Sequence, residues 1–175
     1  SFRRLRRVGR GAFGQVGEPA ISVLGGTYGV STVTALFSMI FAIGALFAWV
    51  YGIGYYEGKL KEFCGEHDML LLSAPAGMIL MVGAQDLLVF FIGLEILSLP
   101  LYALVAFRRD RHDSIEAGLK YFLLGAFAAA FFLFGSALVY TATGTVNLVE
   151  LASLFQGDVA RTPIALIGGA LLMAG

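Results

Sequence analysis

Long apolar runs separated by short charged clusters organise this chain. No charge occurs between Glu18 and Glu57, and within that interval Val33–Tyr56 is a first apolar run. Trp49, Tyr51, Tyr55 and Tyr56 lie toward its end, as in an interfacial aromatic belt. A charged loop, Glu57–Asp68, precedes a second run, Met69–Ala84, which is short and holds Pro75, so a kink is expected there. Met69 to Phe107 would make a helix of about 58 Å at ~1.5 Å per residue. That is too long for a hydrocarbon core of about 30 Å. The chain must therefore turn, and Gln85-Asp86 is the polar pair available, with Asp86 as N-cap of the next helix.

The third run is Leu87–Phe107 and ends in the cluster Phe107–Asp113. The fourth is Ser114–Tyr140, whose start, Asp113 to Glu116, has the spacing of a capping box. Thr141–Arg161 reads as a longer polar loop in which Leu148–Phe155 forms a short interfacial amphipathic helix. A last apolar run, Thr162–Gly175, is too short to span a bilayer, and Pro163 suits its first turn. The predicted architecture is an all-α, polytopic transmembrane helix bundle over residues 29–175, preceded by a polar amino-terminal loop over residues 1–28. The chain starts at Ser1 and stops inside an apolar run, so a fragment of a longer protein is expected. Residues 1–20 are Arg-rich and lack the apolar core of a secretory signal.

Composition agrees with this pattern. Of the 175 residues 58% are hydrophobic and only 14% charged, and the mean hydropathy is +0.83. Such values belong to integral membrane proteins, whose partner is the lipid bilayer. Twelve basic residues balance twelve acidic ones, which leaves no electrostatic case for nucleic acid. The single cysteine, Cys64, excludes an internal disulfide. Frequent Gly and Ala in runs one, two and four favour close helix packing.

One acidic residue, Glu95, interrupts the third run near mid-depth. A carboxylate there is costly and calls for a function or a partner, the plainest partner being a hydrogen bond from a neighbouring helix. Ser98 (i+3) and Tyr102 (i+7) share roughly its face. Pro100 removes the hydrogen bond to the carbonyl of Ile96, loosening the backbone beside it. Lys120 is the second charge set into a span, but its depth differs from that of Glu95, so the two need not touch. It can serve a function, snorkel to the surface, or pair with Glu116 four residues earlier.

Two other patterns carry less. Gly9, Gly11, Gly14 and Val16 fit the phosphate-covering loop of protein kinases, yet the lysine, H-R-D and D-F-G elements that would complete it are missing, so the segment reads as a flexible loop. Cys64, Glu66, His67 and Asp68, even with His112, complete no zinc or haem spacing. No metal site and no redox cofactor site is therefore expected in this chain.

Phe91–Arg109 (FIGLEILSLPLYALVAFRR), Ser114–Ala126 (SIEAGLKYFLLGA) and Ala137–Leu151 (ALVYTATGTVNLVEL) together resemble the subunit N family of bacterial NADH–quinone oxidoreductase, respiratory complex I. That family belongs to the wider antiporter-like proton-translocating group. The resemblance implies a fold of about fourteen helices with inverted repeats and broken helices, of which this chain would supply helices three to six and part of seven. It implies that Glu95 is the glutamate of helix five and Lys120 the lysine of helix six, both serving proton translocation. The family's partner for the glutamate is a lysine of helix seven, beyond Gly175. NADH, flavin, iron–sulfur clusters and quinone are implied elsewhere in the complex. The implied partners are the other membrane subunits, especially the adjacent antiporter-like subunit. The implied location is the bacterial inner membrane.

Orientation from charge alone is nearly tied. Lys59, Lys61, Arg108, Arg109 and Arg111 face one side, against Arg161 and five amino-terminal arginines on the other. The short loop tied to two spans favours a cytoplasmic Phe107–Asp113, and the resemblance implies the same; the amino-terminal arginines oppose it. Two other functions fit the residues: a subunit of a multisubunit sodium/proton antiporter, or a scaffold subunit of a membrane hydrogenase.

Overall fold

A computed structural model describes residues 21–59, 64–156 and 162–175. The glycine motif at residues 9–16 and the arginines before it lie outside the described residues. The elements are a hairpin of β1 (Ile21–Val23) and β2 (Tyr28–Val30), then helices α1 (Thr32–Lys59), α2 (Cys64–Gly83), α3 (Leu87–Val105), α4 (His112–Thr143), α5 (Leu148–Leu154) and α6 (Pro163–Ala174). Helices dominate, and three of them, Thr32–Gly52 within α1, then α3 and α4, are long and apolar enough to cross a membrane. The helix α2 opens with Glu66, His67 and Asp68, which shortens its apolar part. Both α2 and α3 continue through their prolines, Pro75 and Pro100.

Several boundaries differ from those expected. The hairpin occupies residues assigned to a polar loop: Ile21 pairs with Val30 and Val23 with Tyr28. The charged loop at 57–68 is shorter, because α1 extends to Lys59 and α2 begins at Cys64. The fourth span starts earlier, at His112, with Arg111 in the cap position and no side-chain cap bond. The capping box does not form because its members are used elsewhere. Asp113 lies 3.8 Å from the Arg111 guanidinium and Glu116 accepts from Lys120, while Ser114 Oγ donates to the carbonyl of Val105 at 2.6 Å. That span ends at Gly144, whose φ of 75° is the left-handed C-cap that glycine adopts without strain.

The expected turn at Gln85-Asp86 is present and well anchored. Asp86 Oδ1 accepts from Leu88 N at 2.8 Å, capping α3. Gln85 N donates to Thr27 O, Leu148 N to Gln85 O, and Leu87 N to Val146 O, at 2.8 to 3.0 Å. The hairpin, the α2–α3 turn and the α4–α5 connection are thereby joined at one end of the bundle. Asn147 caps α5 by accepting from Val149 N and Glu150 N.

Side by side, the long helices follow the order α1, α2, α3, α4, α6. Glycine sets the closest approach. A Cβ on Gly77 would lie 2.6 Å from the carbonyl oxygen of Gly93 and closer still to Leu97 N, so α2 and α3 touch backbone to backbone. Gly135 and Gly168 play the same part between α4 and α6. Leu87, Phe132, Val139 and Leu151 form the buried core, with Phe90, Phe91, Val146, Phe155 and Leu172 packed on it. This core sits at the Asp86–Asn147 end, and the chamber described next lies on its other side, toward the Arg108–Arg111 loop.

Candidate functional site

Three contacts fix the register between α3 and α4. Gly118 meets Ala106, Gly125 meets the ring of Tyr102, and Phe132 stacks on Phe90 and Phe91 at 5.8 and 5.9 Å. The helices are antiparallel, so the level of Glu95 on α4 falls at Ala129 and Ala130. These are small side chains set between bulkier ones in the segment GAFAAAFFLF. Their size leaves a partly open cleft, the chamber referred to below, of about 340 Å³ between the helices, lined by Glu95, Phe91, Leu99, Tyr102, Phe122 and the alanines of α4, with Leu99, Phe122 and Leu133 exposed on its rim. Its wall is almost entirely apolar.

Glu95 is half-buried, and among the described residues its carboxylate has neither a hydrogen bond nor an ion pair. The neighbouring-helix hydrogen bond considered from the sequence is therefore not present in these residues. Tyr102 shares the chamber, two helical turns nearer the Arg108–Arg111 loop. Ser98 does not line it; the residues that do, Phe91, Leu99 and Tyr102, are at i−4, i+4 and i+7 from Glu95. Pro100 lies one turn on from Glu95, and among the described residues no side-chain hydrogen bond reaches the Ile96 carbonyl it frees.

Lys120 stands apart. At roughly 100° per residue it lies on the side of α4 opposite the chamber residues Phe122, Ala126 and Ala129. The register puts it level with Leu104 and Val105, near the loop. Its ammonium pairs with Glu116 in the i, i+4 order that favours helices, with both side chains exposed. Glu95 and Lys120 are thus not brought together. The loop itself carries Arg108–Asp110 and Arg111–Asp113 pairs at 3.3 and 3.8 Å, and exposed pairs of this kind contribute little to stability. His67 meets the ring of Phe107 edge-on at 5.2 Å, tying the start of α2 to the same end. Among the described residues no three His, Cys, Asp or Glu side chains gather as metal ligands.

The residues missed from sequence are Gly125, Ala129 and Ala130. Their signal was the run of small residues in span four, read there as general packing rather than as space opposite Glu95.

Residues 84–175, just over half of the chain and including both Glu95 and Lys120, match the family model described as NADH:quinone oxidoreductase/Mrp antiporter, transmembrane. The chain belongs to this family. Among curated relatives, NADH-quinone oxidoreductase subunit N of Ruthia magnifica is 39% identical over 142 residues, covering 81% of this chain and 29% of the relative. Subunit N 1 of Sorangium cellulosum is 43% identical over 147 residues, covering 81% of this chain and 28% of the relative. The chain therefore spans less than a third of the length of these family members. A chain of respiratory complex I from Thermus thermophilus with bound aureothin matches with a TM-score of 0.67 at 40% identity, over 86% of this chain and 31% of that one. A chain of the membrane-bound sulfane sulfur reductase, an archaeal respiratory membrane complex, matches with a TM-score of 0.73 at 30% identity, over 87% and 30%. The family assignment thus agrees with the resemblance carried by Phe91–Leu151, and with a membrane-embedded helix bundle.

Proposed function

We propose that this chain is part of a subunit N of NADH–quinone oxidoreductase that contributes to redox-driven proton translocation, with Glu95 as the group that takes up and releases the proton. The observation that carries this reading is Glu95 itself: a carboxylate inside the family-matched segment, in an apolar chamber, facing alanines and without a partner among the described residues. A carboxyl is a group able to carry a proton, and on this reading Glu95 takes one up or releases it as a counter-ion leaves or returns. Lys120, exposed near the loop on the outer side of α4, is proposed to act at the entrance, where a positive charge shapes the local field rather than pairing with Glu95.

On this reading the redox cofactors and quinone reside in other subunits, the neighbours are membrane subunits that include an antiporter-like one, and the membrane is the bacterial inner membrane with Arg108–Arg111 cytoplasmic. A second reading, membership of a respiratory or antiporter complex that does not use NADH, draws on the structural match to the sulfane sulfur reductase. The higher identity of the subunit N relatives favours the first.

The test is Glu95→Gln in the full subunit within the assembled complex, in sealed vesicles. The amide keeps the shape and removes the titration. NADH oxidation by the uncoupled complex should persist, while the NADH-driven pH gradient should fall to a small fraction of the wild-type value. Wild-type pumping by Glu95→Gln would falsify the role given to Glu95. A gradient that depends on sodium and not on NADH would instead favour the second reading.

A further inference from the structure

Small residues of α4 meet two different situations along the seam with α3. At Gly118 the missing side chain is used: a Cβ there would lie 3.0 Å from Ala106 N and 3.1 Å from its Cα, so the backbones close on one another. At Gly125 it is used again, because the ring of Tyr102 fills the space. Toward Asp86 the seam is filled by Phe132, stacked on Phe90 and Phe91 at 5.8 and 5.9 Å within the buried core. At Ala129 and Ala130 the smallness is not used. Among the described residues nothing from α3 fills the space, which stays a partly open cleft beside Glu95 with Leu99, Phe122 and Leu133 exposed on its rim. Ala129 is half-buried in it and Ala130 is exposed. Protein interiors are ordinarily close-packed, and an unfilled gap forfeits the dispersion contacts of its walls. A leucine at either position would cover more apolar surface than alanine does. Packing alone therefore does not account for two alanines at this level.

We infer that Ala129 and Ala130 are positioning residues for Glu95: by staying small they keep the room in which its carboxyl turns between the floor of the cleft and its open side. This rests on the proton-carrying reading of Glu95 and adds to it the residues that let the group move. Both alanines stand at the level of Glu95 and line the same cleft. Among the described residues no hydrogen bond or ion pair holds the carboxylate in one place. Glutamate has three side-chain torsions, the last of them broad, so an untethered carboxyl samples several positions wherever space permits. A group that exchanges a proton in one position and meets its counter-ion in another needs that space. A larger side chain at residue 129 or 130 would stand in the volume the carboxyl crosses. The alanines touch neither proton nor counter-ion; they act through Glu95.

The test uses the full subunit within the assembled complex, in sealed vesicles, and reads the pH gradient formed per NADH oxidised. Ala129→Val, Ala129→Leu, Ala130→Val and Ala130→Leu form a size series at the two positions. The ratio should fall in order of side-chain size, by roughly tenfold or more for the leucine variants, the scale on which misplacing a reacting group acts. The amount of assembled complex should stay near wild type, because the added bulk enters existing space rather than a packed seam. Glu95→Asp supplies the readout that a merely structural role would not move. Its side chain is one methylene shorter, so in the Ala129→Leu background it should restore part of the lost ratio. Independent defects would combine without rescue. Wild-type ratios in both leucine variants would overturn the inference. So would losses from Ala129→Leu and Glu95→Asp that simply combine. A fall in assembled complex as large as the fall in ratio would overturn it too, since the space would then be packed in the full subunit. Glu95→Gln keeps the two roles apart. If it pumps like wild type, the role of Glu95 fails; if it abolishes the gradient while both leucine variants keep theirs, only the role of the alanines fails.

Discussion

Glu95 faces what its neighbours leave out: α4 presents methyl groups at residues 129 and 130, and among the described residues no side chain hydrogen-bonds its carboxylate. The carboxylate was legible from the sequence, because one charge in a 21-residue apolar run stands out on cost alone. The space in front of it was not legible, because a run of alanines has the same spelling whether it packs tightly or faces a chamber. Which of these applies depends on the register of α3 against α4, and that register is set by distant contacts such as Gly118 with Ala106. Ser98 shows the same limit. Helical spacing puts it within reach of the Glu95 face, but the crossing of α4 favours the Leu99 side. Lys120 was left open between three roles by its residue type, and its pairing with Glu116 fits the surface role and an entrance role alike. A direct comparison separates them. Lys120→Ala in the assembled complex should lower the NADH-driven pH gradient clearly, whereas Glu116→Ala should leave it close to wild type. Equal and negligible effects would reduce the pair to an exposed helix bridge, worth about 0.3–0.5 kcal/mol.

Element boundaries followed local chemistry where that chemistry was used locally. Asp86 does cap α3, Pro163 does open α6, and Leu148–Leu154 does form a short helix. The start of α4 was misplaced by two residues because Asp113, expected to cap it, lies inside the helix facing Arg111, and the helix runs back to His112. The hairpin was missed because its strands are only three residues each and find their support at a distance: Gln85 N donates to Thr27 O, and Tyr28 Oη donates to Ile79 O at 3.2 Å. Helix pairing rests on glycine contacts of the same non-local kind, and they make a sharp prediction. Gly77→Val would force a branched side chain into the backbone of α3, an overpacking cost of about 1–3 kcal/mol or more. Gly44 of α1, where an added Cβ would meet nothing within 4 Å, is the matched control. The amount of assembled complex recovered in mild detergent should drop sharply with Gly77→Val and remain near wild type with Gly44→Val. Equal recovery of the two would show that α2 and α3 do not need the close contact.

At the scale of the whole molecule, the two ends of the bundle have different characters. One is a hydrogen-bonded junction of the hairpin, the Gln85-Asp86 turn and the α4–α5 connection. The other is the charged Arg108–Asp113 loop, with the start of α2 held against it through His67 and Phe107. Charge counting left their orientation nearly tied, because loop charges are a statistical guide and the amino-terminal arginines pull the other way. The helix α4 separates the two ends. Its 32 residues, about 48 Å at ~1.5 Å each, exceed a hydrocarbon core of about 30 Å, so its termini should emerge on opposite faces. Single cysteines at exposed positions test this: Arg109→Cys in the loop before α4 and Ala152→Cys on α5 beyond it, each in a Cys64→Ser background and in the assembled complex. An impermeant maleimide should label Arg109→Cys only in inverted vesicles, where the cytoplasmic face is outside, and Ala152→Cys only in right-side-out vesicles. The reverse pattern would keep α4 as a span and invert the topology, making the amino-terminal arginines cytoplasmic and moving the Tyr102 end of the chamber to the other face. Labelling of both from one face would remove α4 as a span. It would also remove the mid-depth position on which the role of Glu95 depends, since that depth is measured along α3 from the same loop.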